Sequence, residues 1–437
     1  MEKIKVDVLI IIEHKSREFE GACLLKAALE MKGKKVIIDS IFPNKEILPI
    51  KYIADIIIMP WGYNDKNMQF ISCFYRNNKH AQIYNWHHEQ YSGQDDSNVC
   101  LPTGTAKELY HISWGNKFTN GLLNSGCKEN TIITAGNIRL DFYKQLLAPL
   151  SFSKEKLAER YGIDKTKKWI LFIANGYHLM NTAELSKVKS IDKNAEAKRN
   201  NAIKCRLDFL SYVKKYLSEH DDVQFIYRPH PVYANKDDQS QDVMDIKRKF
   251  SHNFYVISEQ SIRHWILASD CCISFHSTCI IECAASNTPY YLFRTHDIPY
   301  SFDYSYLKNY PYKIKNYDEF CIAVEELSKY NNSVNLNRLQ DYYRMDSSYA
   351  FTNIINFILS NEKHIQTHQC FNKFWYKNYI RAFIKLVIHF SSKFSIVRHI
   401  LLSRKDSRWF RIVGIGDDSF TQTEVQSLVK KIKECIK

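Results

Sequence analysis

A chain of 437 residues exceeds one ordinary hydrophobic core, so two domains of about 150 residues or more are expected. A hydrophobic fraction of 45% excludes an intrinsically disordered chain. The formal charge of +14 is localised: Lys363 to Lys405 contains no Asp or Glu but carries Lys363, Lys373, Lys377, Arg381, Lys385, Lys393, Arg398, Arg404 and Lys405, whereas the first 360 residues are much closer to balanced.

The opening "VDVLIII" has too few apolar residues for a signal segment or a membrane span and reads as a first core strand. A helical pattern, "FEGACLLKAALEMKG", follows it, and then "KKVIIDS", "ADIIIMP", "AQIYNW", "HISWG" and "NTIITAG" continue the series to about residue 136. Continuous Val/Ile/Leu runs separated by helices predict a parallel sheet covered on both faces. A lysine-rich passage over residues 148–166 interrupts the alternation, which restarts with "WILFIAN", "VQFIYR", "NFYVIS", "DCCISF" and "TPYYLF". The expected architecture is therefore α/β: two Rossmann-like domains, 1–148 and 149–362, followed by a basic helical tail over 363–437. The stretch "LQDYYRMDSSYAFTNIINFILSNEK" is expected to close the second domain with a helix. Twelve cysteines without a CxxC pair or zinc spacing read as buried thiols in a reducing cytoplasm. Neither half carries GxGxxG or GxxxxGK[ST], which disfavours dinucleotide oxidoreductases and P-loop enzymes.

Polar groups collect where strands are expected to end, the usual place for ligands in open α/β sheets. "EHKSRE" (Glu13 to Glu18), "PWGYN", "HHEQYSG" and "AGNIRLD" fall at such ends in the first half. "NGYH", "PHP" and "HSTCIIE" do so in the second, and together they suggest a cleft between two sheets. In "YRPHPVY" two prolines bracket His230 and restrict its directions, with Arg228 close by. Ser277 and Thr278 suit the start of a helix running to about Ser286, either as a plain cap or as a phosphate site, and Glu282 lies one turn on. Glu89 is placed as a general base, with His87 and His88 to orient it or to bind an anion. Adjacent histidines point apart in an extended segment, so no metal site is expected. Asp141 could act in chemistry, salt-bridge Arg139 or cap the next helix; Asp95–Asp96 and Asp417–Asp418 read as solvated turns.

These motifs in this order resemble GT-B glycosyltransferases of bacterial surface-polysaccharide synthesis. "VDVLIIIEHKSREFEGACLLKAALEMKG" and "AGNIRLD" look like the surface carbohydrate biosynthesis family that includes retaining Kdo-transferases using CMP-activated sugar. "RPHP" and "HST…E" are also similar to elements of sialyltransferases and, distantly, of teichoic-acid glycerophosphotransferases. Ile138 and Leu140 stand where the family's "GNPRFD" has a proline and an aromatic, and "HHEQ" replaces a more acidic run. The resemblance implies a CMP-linked sugar donor as substrate, no cofactor and no metal. It implies His230 and Ser277 or Thr278 at the nucleotide phosphate and Glu282 near the ribose, and the nearby charge of Arg228 is expected to serve the same phosphate. It further implies Glu89, with His88, as acid or base for the acceptor hydroxyl and Asp141 as nucleophile of a double displacement. The runner-up readings are a CDP-polyol phosphotransferase and a non-catalytic nucleotide- or glycan-binding partner.

The last feature is "NKFWYKNYIRAFIKLVIHF", where Lys373, Lys377, Arg381 and Lys385 recur at four-residue spacing opposite Trp375, Ile380, Phe383, Ile384 and Val387. Residues 372–405 therefore suit either an anionic membrane surface or packing on the protein with a solvated basic face. No nucleic-acid-reading motif accompanies the charge. A cytoplasmic protein, peripheral at the inner face of the membrane, is the expectation.

Overall fold

The computed structural model describes residues 2–42, 45–90, 100–189, 194–230, 240–296, 303–362, 375–391 and 420–437. Asp95–Asp96, Asp417–Asp418, residues 231–239 after His230, and much of the basic segment lie outside them. The chain divides into two compact units. The first comprises 1–91, 98–142 and 341–437, and the second 92–97 and 143–340.

The first unit holds a six-stranded parallel sheet: β1 (Ile4–Ile12), β2 (Val36–Ser40), β3 (Tyr52–Met59), β4 (Gln82–Asn85), β5 (Tyr110–Ser113) and β6 (Ile132–Thr134). The strands lie in the order β2-β1-β3-β4-β5-β6, with Val8 of β1 between Val36 and Ile56. Leu9 to Ile11 are fully buried, as a strand covered on both faces requires. The helix Lys15–Met31 follows β1. Two late segments pack on it, the helix Ala350–Asn361 and the C-terminal helix Gln422–Ile436. Lys15–Glu424 and Lys433–Glu30 ion pairs, each at 2.7 Å, fasten the C-terminal helix. A Thr421–Glu424 capping box starts it.

The second unit is also six-stranded and parallel: β7 (Lys168–Ile173), β8 (Val223–Arg228), β9 (Phe254–Val256), β10 (Cys271–Ser274), β11 (Tyr290–Phe293) and β12 (Lys313–Ile314). Its order, β9-β8-β7-β10-β11-β12, is the Rossmann order with the topological switch between β7 and β10. Phe172 stacks on Phe209 of the helix Ala195–Glu219 at 3.7 Å between centroids, and Phe225, Tyr227, Phe293 and Phe320 complete an aromatic core.

All eleven strands expected from the apolar runs are present, and the two-residue β12 was not anticipated. The boundaries differ at the end. Residues 341–362, expected to close the second domain, belong to the first unit, and only Ala350–Asn361 of that stretch is helical. Lys117 N–H donates to the Asp341 carbonyl at 2.8 Å and Arg344 N–H to that of Trp114 at 2.7 Å, stitching the returning chain beside β5.

The helix Trp375–Ser391 packs against Asp65–Asn77 of the first unit. Asn378, buried, donates to the Glu46 carbonyl at 3.2 Å and Arg381 to Gln69 at 2.9 Å, while Ala382 is fully buried. Ile380, Phe383, Ile384 and Val387 instead form an exposed stripe, with Phe383 69% exposed. The helix thus packs on the protein with Lys377 and Arg381 exposed, one of the two expected alternatives, while its apolar stripe faces solvent. No helix among the described residues is long and apolar enough to cross a membrane.

Candidate functional site

In the first unit, β1, β4, β5 and β6 deliver their following residues to one pocket. It is lined by Arg17, Glu18, Trp86, His88, Trp114, Asn137, Ile138 and Arg139. Glu18 sits in the first turn of Lys15–Met31. Its Oε2 accepts backbone N–H groups from Glu13 and from His14 (3.1 Å), satisfying donors at a helix start that has no side-chain cap at His14. The other oxygen, Oε1, is buried with no hydrogen-bond partner; the Arg17 guanidinium lies 3.8 Å away. Burial raises the Glu18 carboxyl to about 7, against the lowering pull of those two backbone donors and Arg17. A carboxyl raised in this way contributes stability in its protonated form, complete below the ordinary carboxylate range and lost as pH rises towards 7.

His88 faces the same space. Its Nε2 is 3.5 Å from Glu18 Oε2 and buried without a hydrogen-bond partner. Burial, and then the charges of Arg17, His14 and Arg139, push its pKa far below the ordinary imidazole value, so the ring is neutral. His87 points the other way. It is fully buried, and its Nε2 lies 2.9 Å from Nδ1 of His111 in the core. The two side chains diverge as expected, but through a left-handed kink at His87 (φ 53°) rather than through extended backbone. Glu89 is exposed and paired to Arg17 Nη1 at 2.6 Å, so Arg17 links the exposed and the buried carboxylate.

Asp141 occupies another role. Its two oxygens accept N–H groups of Ala350 (2.9 Å) and Phe351 (2.8 Å), and the residue is 1% exposed. It therefore caps the helix Ala350–Asn361. The nucleophile role implied by the resemblance is corrected on that ground: a buried carboxylate holding two backbone donors has no face for an anomeric carbon. Gly136, at φ +98°, makes the tight exit from β6 that places Asn137, Arg139 and Asp141.

In the second unit, the ends of the three adjacent strands β8, β7 and β10 each lead to a histidine: His230, His178 and His276. Burial, with the charge of His178 second, lowers His230. Arg228 ends β8, but its guanidinium donates to the carbonyls of Glu259 (2.8 Å) and Gln260, where Gln260 has φ 64°. The phosphate role expected of Arg228 is corrected to positioning of this loop; burial lowers it only to about 10, so it stays charged. Ser277 Oγ accepts from Cys279 N–H at 3.2 Å, and Thr278 is exposed. The helix itself begins at Ile280, slightly later than expected, and ends at Ser286 as expected. Glu282 is buried in its first turn.

Just before Ser277, the partly buried His276 stacks on Tyr304 (4.5 Å between ring centroids) and approaches Asp303 at 3.9 Å. Arg294 Nη2 binds the same Asp303 oxygen at 2.5 Å. Burial pushes the Asp303 carboxyl up, but His276 and Arg294 outweigh it and hold the group low. This Arg294–Asp303–His276 chain fixes the loop that carries Ser277.

No family model matches the sequence, and no curated protein matches it. Among solved structures it is similar to the wall teichoic acid polymerase TagF, with 12% identity over 82% of this chain and 89% of that chain and a TM-score of 0.54. For TagF soaked with CDPG the values are 14%, 82%, 88% and 0.53. It is also similar to UDP-GlcNAc 2-epimerase from Methanocaldococcus jannaschii in complex with UDP-GlcNAc and UDP, at 14% identity over 82% and 99% with a TM-score of 0.49. The chain has the GT-B fold. Within this GT-B chain the sequence reading missed Glu18, Arg17, Arg139 and Trp114 at the first pocket and His276, Arg294 and Asp303 at the second. The available signal was positional: all but Asp303 stand within a few residues of a strand's carboxyl end, in "EHKSRE", "SWG", "GNIRLD", "SFHST" and "LFRT", whereas Asp303 carries no such signal.

Proposed function

We propose that this chain is a transferase using a cytidylate-activated donor, with the nucleotide held by the second unit and the acceptor hydroxyl deprotonated in the first. The observation that supports the reading is that His178, His230 and His276–Ser277 follow the carboxyl ends of the adjacent strands β7, β8 and β10, the side of a Rossmann-order sheet where nucleotides usually bind. His230, Ser277 and Thr278 supply the phosphate contacts, and Glu282 accepts from the ribose. A leaving phosphate needs neutralisation, which fixed hydrogen-bond donors provide. The acceptor hydroxyl needs a base, drawn from the Glu89–Arg17–Glu18–His88 cluster.

A Kdo-like ulosonic acid on CMP is the first donor reading, resting on the resemblance of "AGNIRLD" and "RPHP". A CDP-polyol, delivering a polyol phosphate to a surface polymer, is the second; the likeness to TagF soaked with CDPG favours it. Both donors release CMP, so the second unit meets the same leaving group. The test is a thermal-shift series with CMP, CDP, UDP and GDP. A cytidine nucleotide at a hundredfold excess over its Kd is expected to stabilise by about 2.7 kcal/mol. That corresponds to roughly 5–10 °C for a unit of this size. His230→Ala should weaken binding about tenfold or more, near 1.4 kcal/mol. Stabilisation by UDP or GDP alone would overturn the cytidylate assignment.

The helix Trp375–Ser391 fits the surface of an anionic bilayer. Ile380, Phe383, Ile384 and Val387 share one exposed stripe, and the surrounding sequence is rich in Lys and Arg without acids. Burying four half-exposed side chains is worth on the order of 4 kcal/mol, with about 1 kcal/mol for each cation near the headgroups. The double change Ile380→Asp and Phe383→Asp is expected to abolish co-sedimentation with phosphatidylserine-containing vesicles. Unchanged co-sedimentation would remove the assignment. Substitution is cleaner than truncating the tail, which also deletes the helix Gln422–Ile436 that packs on Lys15–Met31.

A further inference from the structure

We infer that Glu18 is the proton-transfer carboxyl of the first unit, assisted by His88, for a hydroxyl-bearing substrate seated in the pocket beside Trp114. This rests on the transferase reading and deepens it by choosing among Glu18, His88 and Glu89.

Geometry carries the choice. Glu18 divides its two oxygens between two tasks. Oε2 is tied to the backbone at Glu13 and His14, which fixes the carboxyl in place. Oε1 and His88 Nε2 are both buried, both without a hydrogen-bond partner, and both on residues lining the same pocket. Unpartnered buried polar atoms cost free energy, and two of them beside one cavity point to a ligand that bonds to them. A sugar or polyol hydroxyl can do so, donating to Glu18 Oε1 and accepting or donating at His88. Trp114, partly exposed and stacked on Tyr343 with centroids 5.8 Å apart, offers a fixed ring face beside it. Glu89 has no such setting: it is 56% exposed and already paired to Arg17.

The charges around the pair agree with this division. Glu13, Arg17 and His88 face Glu18, while Arg17, His14 and Arg139 surround His88. His88, kept neutral and weakly basic, is suited to hydrogen bonding rather than to taking the proton. A carboxyl titrating near 7 matches a base working near neutrality. In the transfer step the acceptor O–H bond breaks and its proton passes to Glu18 Oε1. The acceptor oxygen forms the new bond to the electrophilic carbon or phosphorus of the donor. The bond from that atom to the nucleotide phosphate oxygen breaks, and CMP leaves with the electron pair.

The test is CMP release from CMP-Kdo and from CDP-glycerol, with water as acceptor, by the full-length protein between pH 5.5 and 9. Wild type is expected to lose rate below about pH 7. Glu18→Gln keeps an acceptor for the Glu13 and His14 N–H groups, and is expected to slow release by ~10²–10⁴-fold and to abolish that acid limb. Its thermal shift with CMP should stay unchanged. Glu89→Gln should keep the limb. A Glu18→Gln protein with wild-type rate and limb would overturn the inference while leaving the transferase reading intact. Wild type that neither responds to CMP nor releases it would overturn both. If Glu18→Gln fails to fold, Glu18→Asp decides: an unaltered limb and rate would overturn the inference, and a displaced limb with reduced rate would support it.

Discussion

Replacing Asp141 with Asn is expected to lower the stability of the protein by about 3 kcal/mol, through loss of two charge-assisted bonds to buried backbone donors. Both carboxylate oxygens serve the helix Ala350–Asn361, and an amide presents only one acceptor to the N–H groups of Ala350 and Phe351. Its NH₂ group would meet a second donor head-on. Urea unfolding followed by circular dichroism checks this. CMP release measured at a temperature where the variant is still folded should remain within a few-fold of wild type. A variant of normal stability that had lost all turnover would restore Asp141 to the chemistry and remove the cap assignment.

Gly115→Ala is expected to cost a similar amount, for a different reason. Gly115 is extended (φ −161°), so its backbone suits any residue. The constraint is space. A Cβ there would lie 2.5 Å from the Tyr342 carbonyl oxygen and 2.7 Å from Tyr343 N, and these are backbone atoms that cannot swing aside. The chain passes Gly115 as it returns to the first unit, held by the bonds of Lys117 to Asp341 and Arg344 to Trp114. Overpacking of this kind costs about 3 kcal/mol at the upper end of its range. The expected result is a lower urea midpoint, with faster proteolysis within residues 341–349. Wild-type stability would show that the two segments can part without penalty.

The strands were legible because both faces of each sheet are covered. "VDVLIII" and "CCIS" are apolar throughout, and no alternative register hides such runs. The polar sites were legible by place and less so by role. Glu89 and Asp141 were both read from their position after a strand, yet one is exposed on Arg17 and the other is committed to an amide pair 209 residues away. Nothing local in "GNIRLD" announces a partner at Ala350. Glu18 was passed over because a carboxylate in the first turn of a helix is ordinarily solvated. Around it the pocket is lined by Trp86, His88 and Ile138, which follow strands distant in sequence. Arg228 was misread in the same way: its charge was visible, and the carbonyls of Glu259 and Gln260 that engage it were not.

The placement of residues 341–437 in the first unit has a consequence for biosynthesis. The ribosome delivers β1–β6 by residue 134, but the helices Ala350–Asn361 and Gln422–Ile436 that cover Lys15–Met31 are specified only at the end of the message. At about 5–20 residues per second, the helix carrying Glu18, complete at Met31, waits on the order of 20–80 s for its last neighbour to be synthesised. The second unit, continuous from residue 143 to 340, has its whole sheet in hand well before that. The nascent chain therefore matures from its middle outward, with an apolar sheet face uncovered for most of translation. Every residue lining the pocket is synthesised by residue 139, and during that interval the helix carrying Glu18 lacks the two late helices that cover it.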